Sequence, residues 1–248
     1  MIDIQDLHKS FDGVEVNKGL NLRIEKGEIV ALIGRSGQGK SVLLKQVAGL
    51  IKPDRGRVLV DGREIGHLKG KALARLRSRL GFLFQGGALF DSMSIFDNVA
   101  FPLREKTGLS EDEIGKRVID ELKLIGLSGA ERKYPSQLSG GMIKRAALAR
   151  ELVSGPEIMF FDEPTTGLDP IIGNAILKLI DDIHKRFHFT GIIVTHEVPK
   201  VFEIVDKVAM LHDGTVLAMG PPEEIIASED PIVQQFIKGD LDGPISVC

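Results

Sequence analysis

A glycine-rich segment, GRSGQGKS at residues 34–41, constrains the fold more than any other part of the chain. It fits the pattern G-x-x-x-x-G-K-[ST] and directly follows EIVALIG, an apolar run typical of a strand buried on both faces of a parallel sheet. A helix is predicted to begin at about Lys40. Glycines let backbone N–H groups close around phosphate oxygens, and a helix N-terminus adds partial positive charge. The segment therefore predicts a phosphate-binding loop, with an ordinary glycine-rich turn as the disfavoured alternative.

This loop supplies most of the candidate nucleotide-binding residues. Lys40 is expected to reach the β- and γ-phosphates of ATP. The Ser41 hydroxyl is expected to bind Mg²⁺, because this hard cation prefers oxygen ligands. The residues of the loop and the first helical turn that we predict to contact the nucleotide are Gly34, Arg35, Ser36, Gly37, Gln38, Gly39, Lys40, Ser41 and Val42.

The composition indicates a globular protein with no nucleic-acid partner. A chain of 248 residues with 43% hydrophobic content can bury a sizeable core, which excludes a disordered chain. The net charge is −3 and no long basic run occurs, so nucleic-acid binding is not favoured. Cys248 is the only cysteine, so a disulfide within the chain is excluded. The first ten residues do not resemble a signal peptide, and no apolar run approaches the roughly 20 residues that span a bilayer, so we expect a soluble protein.

The order of strand and helix patterns predicts an α/β fold. Alternating apolar residues near the start, with a hairpin signal at Asp61 and Gly62, predict antiparallel strands. From about residue 86 the periodicity becomes helical, and Ser110 and Glu113 have the spacing of a capping box. Strand patterns return in EIMFFDEP and GIIVTHE, before a second Asp-Gly signal at residues 213–214.

These changes in pattern suggest domain boundaries. We predict a main domain over residues 1–220, with a helical subdomain inserted over about residues 86–155. Residues 221–248 are predicted to form a C-terminal appendage with one short helix.

Acidic, imidazole and hydroxyl side chains follow the other predicted strands or open a helix. Asp162 and Glu163 end a buried strand, where ligands of open α/β sheets gather. Asp162 would support Mg²⁺, and Glu163 would orient or deprotonate the attacking water. His196 follows GIIVT and could donate to a phosphate, although a lone histidine is more often structural. In LSGGM at 138–142, Ser139 and two glycines open a second helix, either as a phosphate site or as a flexible N-cap.

Together these segments resemble the ABC (ATP-binding cassette) ATPase family over essentially residues 1–220. GRSGQGKS resembles Walker A, the glutamine of FLFQGG the Q-loop, LSGGM the signature, IMFFDEP Walker B, TGLDP the D-loop, and the histidine of VTHE the switch histidine. The resemblance implies a P-loop NTPase fold with a RecA-like core, an antiparallel β subdomain and an inserted α-helical subdomain. It also implies ATP hydrolysis with Mg²⁺.

The family resemblance assigns further roles to single residues. The residues implied in catalysis are Glu163, His196, Gln85 and Lys40, and those implied in metal binding are Ser41, Gln85 and Asp162. In the implied head-to-tail homodimer, Ser139, Gly140 and Gly141 of one chain close over the ATP of the other, with Asp169 acting across the interface. Phe11 resembles the aromatic position that stacks on adenine, and a strand-end or core phenylalanine is the alternative.

Five phenylalanines lie close together on both sides of the predicted Q-loop glutamine: Phe82, Phe84, Phe90, Phe96 and Phe101. The resemblance implies that the part after this glutamine, which includes Phe90, Phe96 and Phe101, forms an apolar groove for a membrane subunit, and a core role is equally compatible.

Within the family, the segment FQGGALFDSMSIFDNVAFPLRE, Met142 and QFIKGDLDGPI resemble the Mla-type group, whose members serve phospholipid transport and outer-membrane lipid asymmetry. That resemblance implies a membrane permease, a periplasmic lipid-binding protein and a place on the cytoplasmic face of the bacterial inner membrane. TGLDP and the residues after GPI depart from the group, which leaves open whether a small STAS-domain protein docks on the C-terminal part. An amino-acid or other solute importer and a non-transport ABC ATPase are the alternatives.

Overall fold

The computed structural model describes residues 1–246, so Cys248 and the prediction based on it lie outside the described residues. The helices and strands run in chain order: β1 (Ile2–Phe11), β2 (Val14–Ile24), β3 (Ile29–Ile33), α1 (Lys40–Val47), β4 (Arg55–Val60), β5 (Arg63–Glu64), α2 (Gly70–Arg77), β6 (Leu80–Leu83), α3 (Ile95–Lys106), α4 (Glu111–Leu124), α5 (Gly140–Leu152), β7 (Ile158–Asp162), α6 (Pro170–Phe187), β8 (Thr190–Val194), β9 (Lys207–His212), β10 (Thr215–Gly220), α7 (Pro222–Ile226) and α8 (Pro231–Lys238). The chain divides into two compact units, residues 1–74 with the chain from residue 189 onward, and residues 75–188.

An antiparallel sheet forms one part of the first unit. Its strands lie in the order β2-β1-β4-β5, and every pairing is antiparallel. Asp61 and Gly62, between β4 and β5, have φ angles of 49° and 73°. Two successive positive φ angles match the right-handed twist of a two-residue hairpin, which is why Asp-Gly is favoured there. The antiparallel strands expected from the sequence are confirmed.

Parallel strands form the other part of the first unit. The β3 strand lies between β8 and β9 and is parallel to both, and all five of its residues are buried. The β10 strand returns antiparallel to β9 through Asp213 and Gly214. A strand covered on both faces has no solvent side to mark with polar residues, so its sequence is a continuous apolar run. The prediction made from EIVALIG is therefore confirmed.

The second unit combines a parallel strand pair with four complete helices. The β6 and β7 strands pair in parallel, with Leu83 opposite Phe161. Ser110 and Glu113 form the predicted capping box at the start of α4, because the serine hydroxyl accepts from the N–H of Glu113 while the glutamate carboxylate accepts from the N–H of Ser110. Ile114 and Val118, one turn apart on α4, are buried, as their helical spacing predicts.

The C-terminal segment contains two short helices, so the prediction of a single helix was wrong. Asp230 interrupts the helical pattern and caps α8, because its carboxylate accepts from the N–H groups of Ile232 and Val233. Farther along, the buried Gln235 side chain accepts from the N–H of Ile245 at 2.7 Å and donates to its carbonyl at 3.1 Å. These bonds hold the main chain of Ile245 against α8 within the first unit. The boundaries predicted at residues 86, 155 and 220 stay predictions.

Candidate functional site

The Lys40 ammonium lies inside the glycine-rich loop between β3 and α1. The side chain is 6% exposed, and its Nζ donates to the carbonyls of Gly34 at 2.6 Å and Arg35 at 2.8 Å. Gly39 begins α1 as an N-cap without a side-chain hydrogen bond. Because glycine has no side chain, the first N–H groups of that helix receive no side-chain cap from this position. A cation and a helix N-terminus at one loop form an arrangement suited to phosphate.

Two positions of the loop, Gly34 and Gly39, have no room for a side chain. A Cβ atom on Gly34 would lie 2.4 Å from the carbonyl oxygen of Leu211, and one on Gly39 would lie 2.7 Å from Val16 Cγ1. Their φ angles, 140° and 85°, are also conformations that L side chains rarely adopt. The loop can follow its path only because both positions lack a side chain.

Neighbouring strands place further predicted residues at the same sheet edge as the loop. Because β3 and β8 are parallel neighbours, Gly34 and His196 both follow the carboxyl ends of adjacent strands. The Thr195 N–H donates to the Leu32 carbonyl at 3.3 Å, which continues the pairing of β8 with β3 toward His196. Gln38 accepts from the N–H of Asp213 at 2.6 Å, so the β9–β10 turn also holds the loop.

Phe11 is the last residue of β1, and its side chain is 42% exposed. That exposure excludes the core alternative for Phe11. The Lys9 ammonium lies 5.2 Å from the ring centroid. Stacking on adenine stays a prediction.

In the second unit, the carboxyl ends of β6 and β7 bring three predicted residues to one edge. Gln85 follows β6, whereas Asp162 ends β7 and Glu163 follows it. Glu163 has a φ angle of 52°, a left-handed conformation that is uncommon for a residue with a side chain. Its carboxylate accepts from the hydroxyl of Thr166 at 3.0 Å, and its carbonyl accepts from the N–H of Thr166 at 3.3 Å. Thr166 therefore holds both the main-chain carbonyl and the carboxylate of Glu163 in place.

The signature segment opens α5 in the second unit. Ser139 is the exposed N-cap, and its hydroxyl accepts from the N–H of Met142 at 3.4 Å. Gly140 is also exposed, while Gly141 is buried against α6, since a Cβ there would lie 2.5 Å from Ile172 Cγ2. Exposed backbone at a helix N-terminus is compatible with both expectations for this segment, a phosphate site and an N-cap.

Asp169 has a local role at the start of α6. Its carboxylate accepts from the N–H groups of Ile171 and Ile172, both at 3.1 Å. Asp169 is exposed, and Ile171 beside it is 80% exposed. Capping fixes the conformation of the predicted D-loop, and a role across a dimer interface stays a prediction.

The phenylalanine-rich segment contributes to both core and surface. Phe82 is 9% exposed and its ring stacks on that of Phe84, with 4.2 Å between centroids. Phe90 is 42% exposed and lies 5.0 Å from the ring of Phe101. Phe82 therefore belongs to the core and Phe90 lies at the surface. A groove for a membrane subunit stays a prediction.

A buried cation beside Gln85 and Glu163 was not identified from the sequence. Lys144 on α5 is 5% exposed, and its Nζ donates to the carbonyl of Gln85 and, at 3.4 Å, to that of Glu163. Burial lowers the pKa of the Lys144 ammonium, and the carboxylates of Glu163 and Asp162 oppose that effect. The only sequence signal was a lysine beside an arginine in the helical stretch IKRAALAR, and such lysines are most often exposed.

Residues 17–166 match the family model described as ABC transporter. The chain belongs to the ABC transporter family. It is 43% identical to the intermembrane phospholipid transport system ATP-binding protein MlaF of Haemophilus influenzae, over 99% of this chain and 93% of that protein. It is 44% identical to the probable ribonucleotide transport ATP-binding protein mkl of Mycobacterium leprae, over 99% of this chain and 71% of that protein.

A solved structure supports the same assignment. The dimeric ATP-binding cassette MJ0796, in a post-hydrolysis state bound to ADP and Pi, matches with a TM-score of 0.82 and 30% identity over 90% of this chain and 99% of that one. The predicted ABC-ATPase fold and the prediction of an ATPase are thereby confirmed. Among residues 1–246, no helix is long and apolar enough to cross a membrane.

Proposed function

We propose that this member of the ABC transporter family uses ATP hydrolysis to energise phospholipid transport by a membrane complex. The observation that supports this substrate is the similarity to MlaF of H. influenzae, which extends over 99% of this chain and 93% of that protein. A match to the family model alone would support an ATPase and would leave the transported substrate open.

The loop at 34–41 binds the ATP phosphates in this proposal. Lys40 already lies within the loop, and the glycines at 34 and 39 leave the backbone room to follow the phosphates. The donor set also fits Mg²⁺, since the hydroxyl of Ser41, the carboxylate of Asp162 and the amide oxygen of Gln85 are all hard oxygen ligands. When bound, Mg²⁺ would neutralise charge on the phosphate oxygens.

Glu163 is the general base of the proposed reaction. It accepts a proton from the water that attacks the γ-phosphate, and the two bonds from Thr166 hold its backbone and carboxylate in one orientation. Lys40 stabilises negative charge on the β- and γ-phosphates, and His196 donates a hydrogen bond to the γ-phosphate. Most of the rate enhancement comes from positioning and electrostatics, because phosphoryl transfer needs little covalent help from the protein.

The active form is a head-to-tail homodimer. Ser139, Gly140 and Gly141 of one chain close over the ATP held by the loop of the other, and Asp169 lies at that interface. The exposure of Ser139 and Gly140 at the start of α5 supports this arrangement. Phe11 stacks on adenine with its exposed ring.

The remaining partners belong to a transporter at the cytoplasmic face of the bacterial inner membrane. Phe90 and its neighbours would receive an integral membrane permease, and a periplasmic lipid-binding protein and a small STAS-domain protein would complete the complex. Ribonucleotide transport is the second candidate, because mkl of M. leprae is equally similar over nearly the whole of this chain.

Affinity purification of tagged Glu163→Gln from detergent-solubilised native membranes with ATP tests the proposal. Mass spectrometry then identifies each co-purifying protein and any bound lipid. A permease with a lipid-carrying protein and bound phospholipid is the expected result. Tagged Ser139→Arg serves as a control that separates partner binding from ATP-dependent dimer closure. A permease that carries nucleotides, or one with a solute-binding protein, would refute phospholipid transport.

A further inference from the structure

The helix that begins at the signature segment carries a buried cation on its first turns. Lys144 lies on α5, five residues after Ser139, and only 5% of its surface is exposed. Its ammonium donates to two main-chain carbonyls, those of Gln85 and Glu163, at the ends of two different strands. One side chain thus joins the start of α5, the segment after β6 and the segment after β7. The proposed function gives each of these segments a separate role.

The contact with Glu163 falls on a strained residue. At φ 52° this glutamate has a left-handed conformation that is unfavourable for a residue with a side chain, so surrounding contacts must maintain it. Rotation of the peptide toward an ordinary conformation would move the carbonyl away from the Lys144 ammonium. The same rotation would redirect the Glu163 carboxylate, because both groups are attached to one Cα atom.

The contact with Gln85 is reinforced by a second cation on the same helix. Arg150 donates to the carbonyl of Gly87 at 3.2 Å and to that of Ala88 at 2.5 Å. Gly87 and Ala88 have φ angles of 77° and 49°, so the segment after Gln85 is also bent into left-handed conformations. Arg150 therefore holds this segment against α5, while Lys144 additionally links it to Glu163.

Charge makes the Lys144 contacts strong. Hydrogen bonds from an ionised donor are roughly twice as strong as neutral ones. A neutral side chain of the same length would leave the two carbonyl oxygens without this donor and would remove the positive charge beside the carboxylates.

We propose that Lys144 is a positioning residue that couples the helix beginning at Ser139 to both Gln85 and Glu163. The placement of α5 then determines how the Glu163 carboxylate is presented to the attacking water. This inference rests on the proposed role of Glu163 as the base.

The test compares Lys144→Met, which keeps the length and removes the charge, with Lys144→Arg, which keeps the charge and the donors. Lys178→Met, at a lysine that is 67% exposed on α6, is the matched control. ATP hydrolysis by the full purified chain gives kcat and KM, and calorimetry with ADP gives nucleotide affinity.

For Lys144→Met we expect kcat to fall by about tenfold or more, since misplacing a general base forfeits part of the roughly 10²–10⁴-fold that it supplies. ADP affinity should change less than about threefold, because the phosphates bind at residues 34–41. Lys144→Arg should recover most of kcat, and Lys178→Met should behave as the unmodified chain.

Glu163→Gln, measured in parallel, separates the two hypotheses. If Glu163→Gln keeps its turnover, the proposed role of the base fails first. If Glu163→Gln is inactive while Lys144→Met keeps kcat within about twofold, the positioning role alone is refuted. Loss of ADP affinity together with kcat in Lys144→Met, without recovery in Lys144→Arg, would show a structural role and would also overturn the inference.

Discussion

Replacing Glu121 by glutamine should stabilise the protein at neutral and alkaline pH and leave its stability at acidic pH nearly unchanged. Glu121 lies on α4, and burial raises the pKa of its carboxyl group from 4.5 to about 7. Arg186 opposes this shift and Asp120 adds to it. One carboxylate oxygen, Oε1, is buried without a hydrogen-bond partner. The ionised form is therefore poorly solvated in the folded protein.

The direction of the pH dependence follows from proton binding. Because the folded protein holds the proton of Glu121 up to about pH 7 and the unfolded chain releases it near pH 4.5, folding stability decreases as pH rises through that interval. Each pKa unit corresponds to about 1.4 kcal/mol, so the full penalty above pH 7 is about 3 kcal/mol. The glutamine amide also needs partners, so we expect a net gain of about 1–3 kcal/mol at pH 8.

Urea denaturation of both proteins between pH 4.5 and pH 8 measures this gain. The difference in unfolding free energy should be near zero at pH 4.5 and reach its maximum at pH 8, with a rise in Tm of about 2–4 °C per kcal/mol. Glu105→Gln, at an exposed residue of α3, controls for the change in net charge. A gain that is equal at both pH values, or equal in the control, would refute burial of the Glu121 charge as the cause.

Three further predictions concern catalysis. Glu163→Gln should retain ATP binding, lose about 10²-fold or more in kcat and accumulate a dimer with ATP on size-exclusion chromatography; full turnover would exclude Glu163 as the base. Ser139→Arg should block dimer closure and leave ADP affinity unchanged in calorimetry, and unchanged ATPase activity would refute the composite site. Lys40→Ala should weaken nucleotide affinity or turnover by roughly tenfold or more, because a cation at the phosphates is lost, and an ATPase assay with wild-type values would contradict the assigned loop.

Much of the fold could be predicted because local sequence and tertiary environment agree. The β3 strand is a continuous apolar run because both of its faces are covered, and the Asp-Gly pairs at 61–62 and 213–214 mark turns that require positive φ angles. The capping box at Ser110 is likewise a local interaction that its own sequence specifies. Such features need no knowledge of distant contacts.

The C-terminal segment was harder to predict because its order depends on contacts that the local pattern does not reveal. The helix α8 has only eight residues, and isolated helices of this length are marginal. Its position and that of Ile245 depend on Gln235, whose buried amide bonds the main chain ten residues farther on. A glutamine in the helical stretch PIVQQFIK gives no sign of such a role.

Lys144 shows the corresponding limit for the site. Walker-type motifs are recognisable because phosphate binding imposes residue types at fixed spacing along the chain. A lysine that supports those motifs needs only to lie within hydrogen-bond distance of two main-chain carbonyl oxygens. Every residue type has such a carbonyl. This distance requirement therefore leaves no sequence pattern around Gln85 or Glu163. Only the folded chain shows that Glu163, in its left-handed conformation, lies against a buried ammonium. Supporting residues of this kind can be found by first locating a strained conformation at a site. The side chains that contact the strained residue are then the candidates.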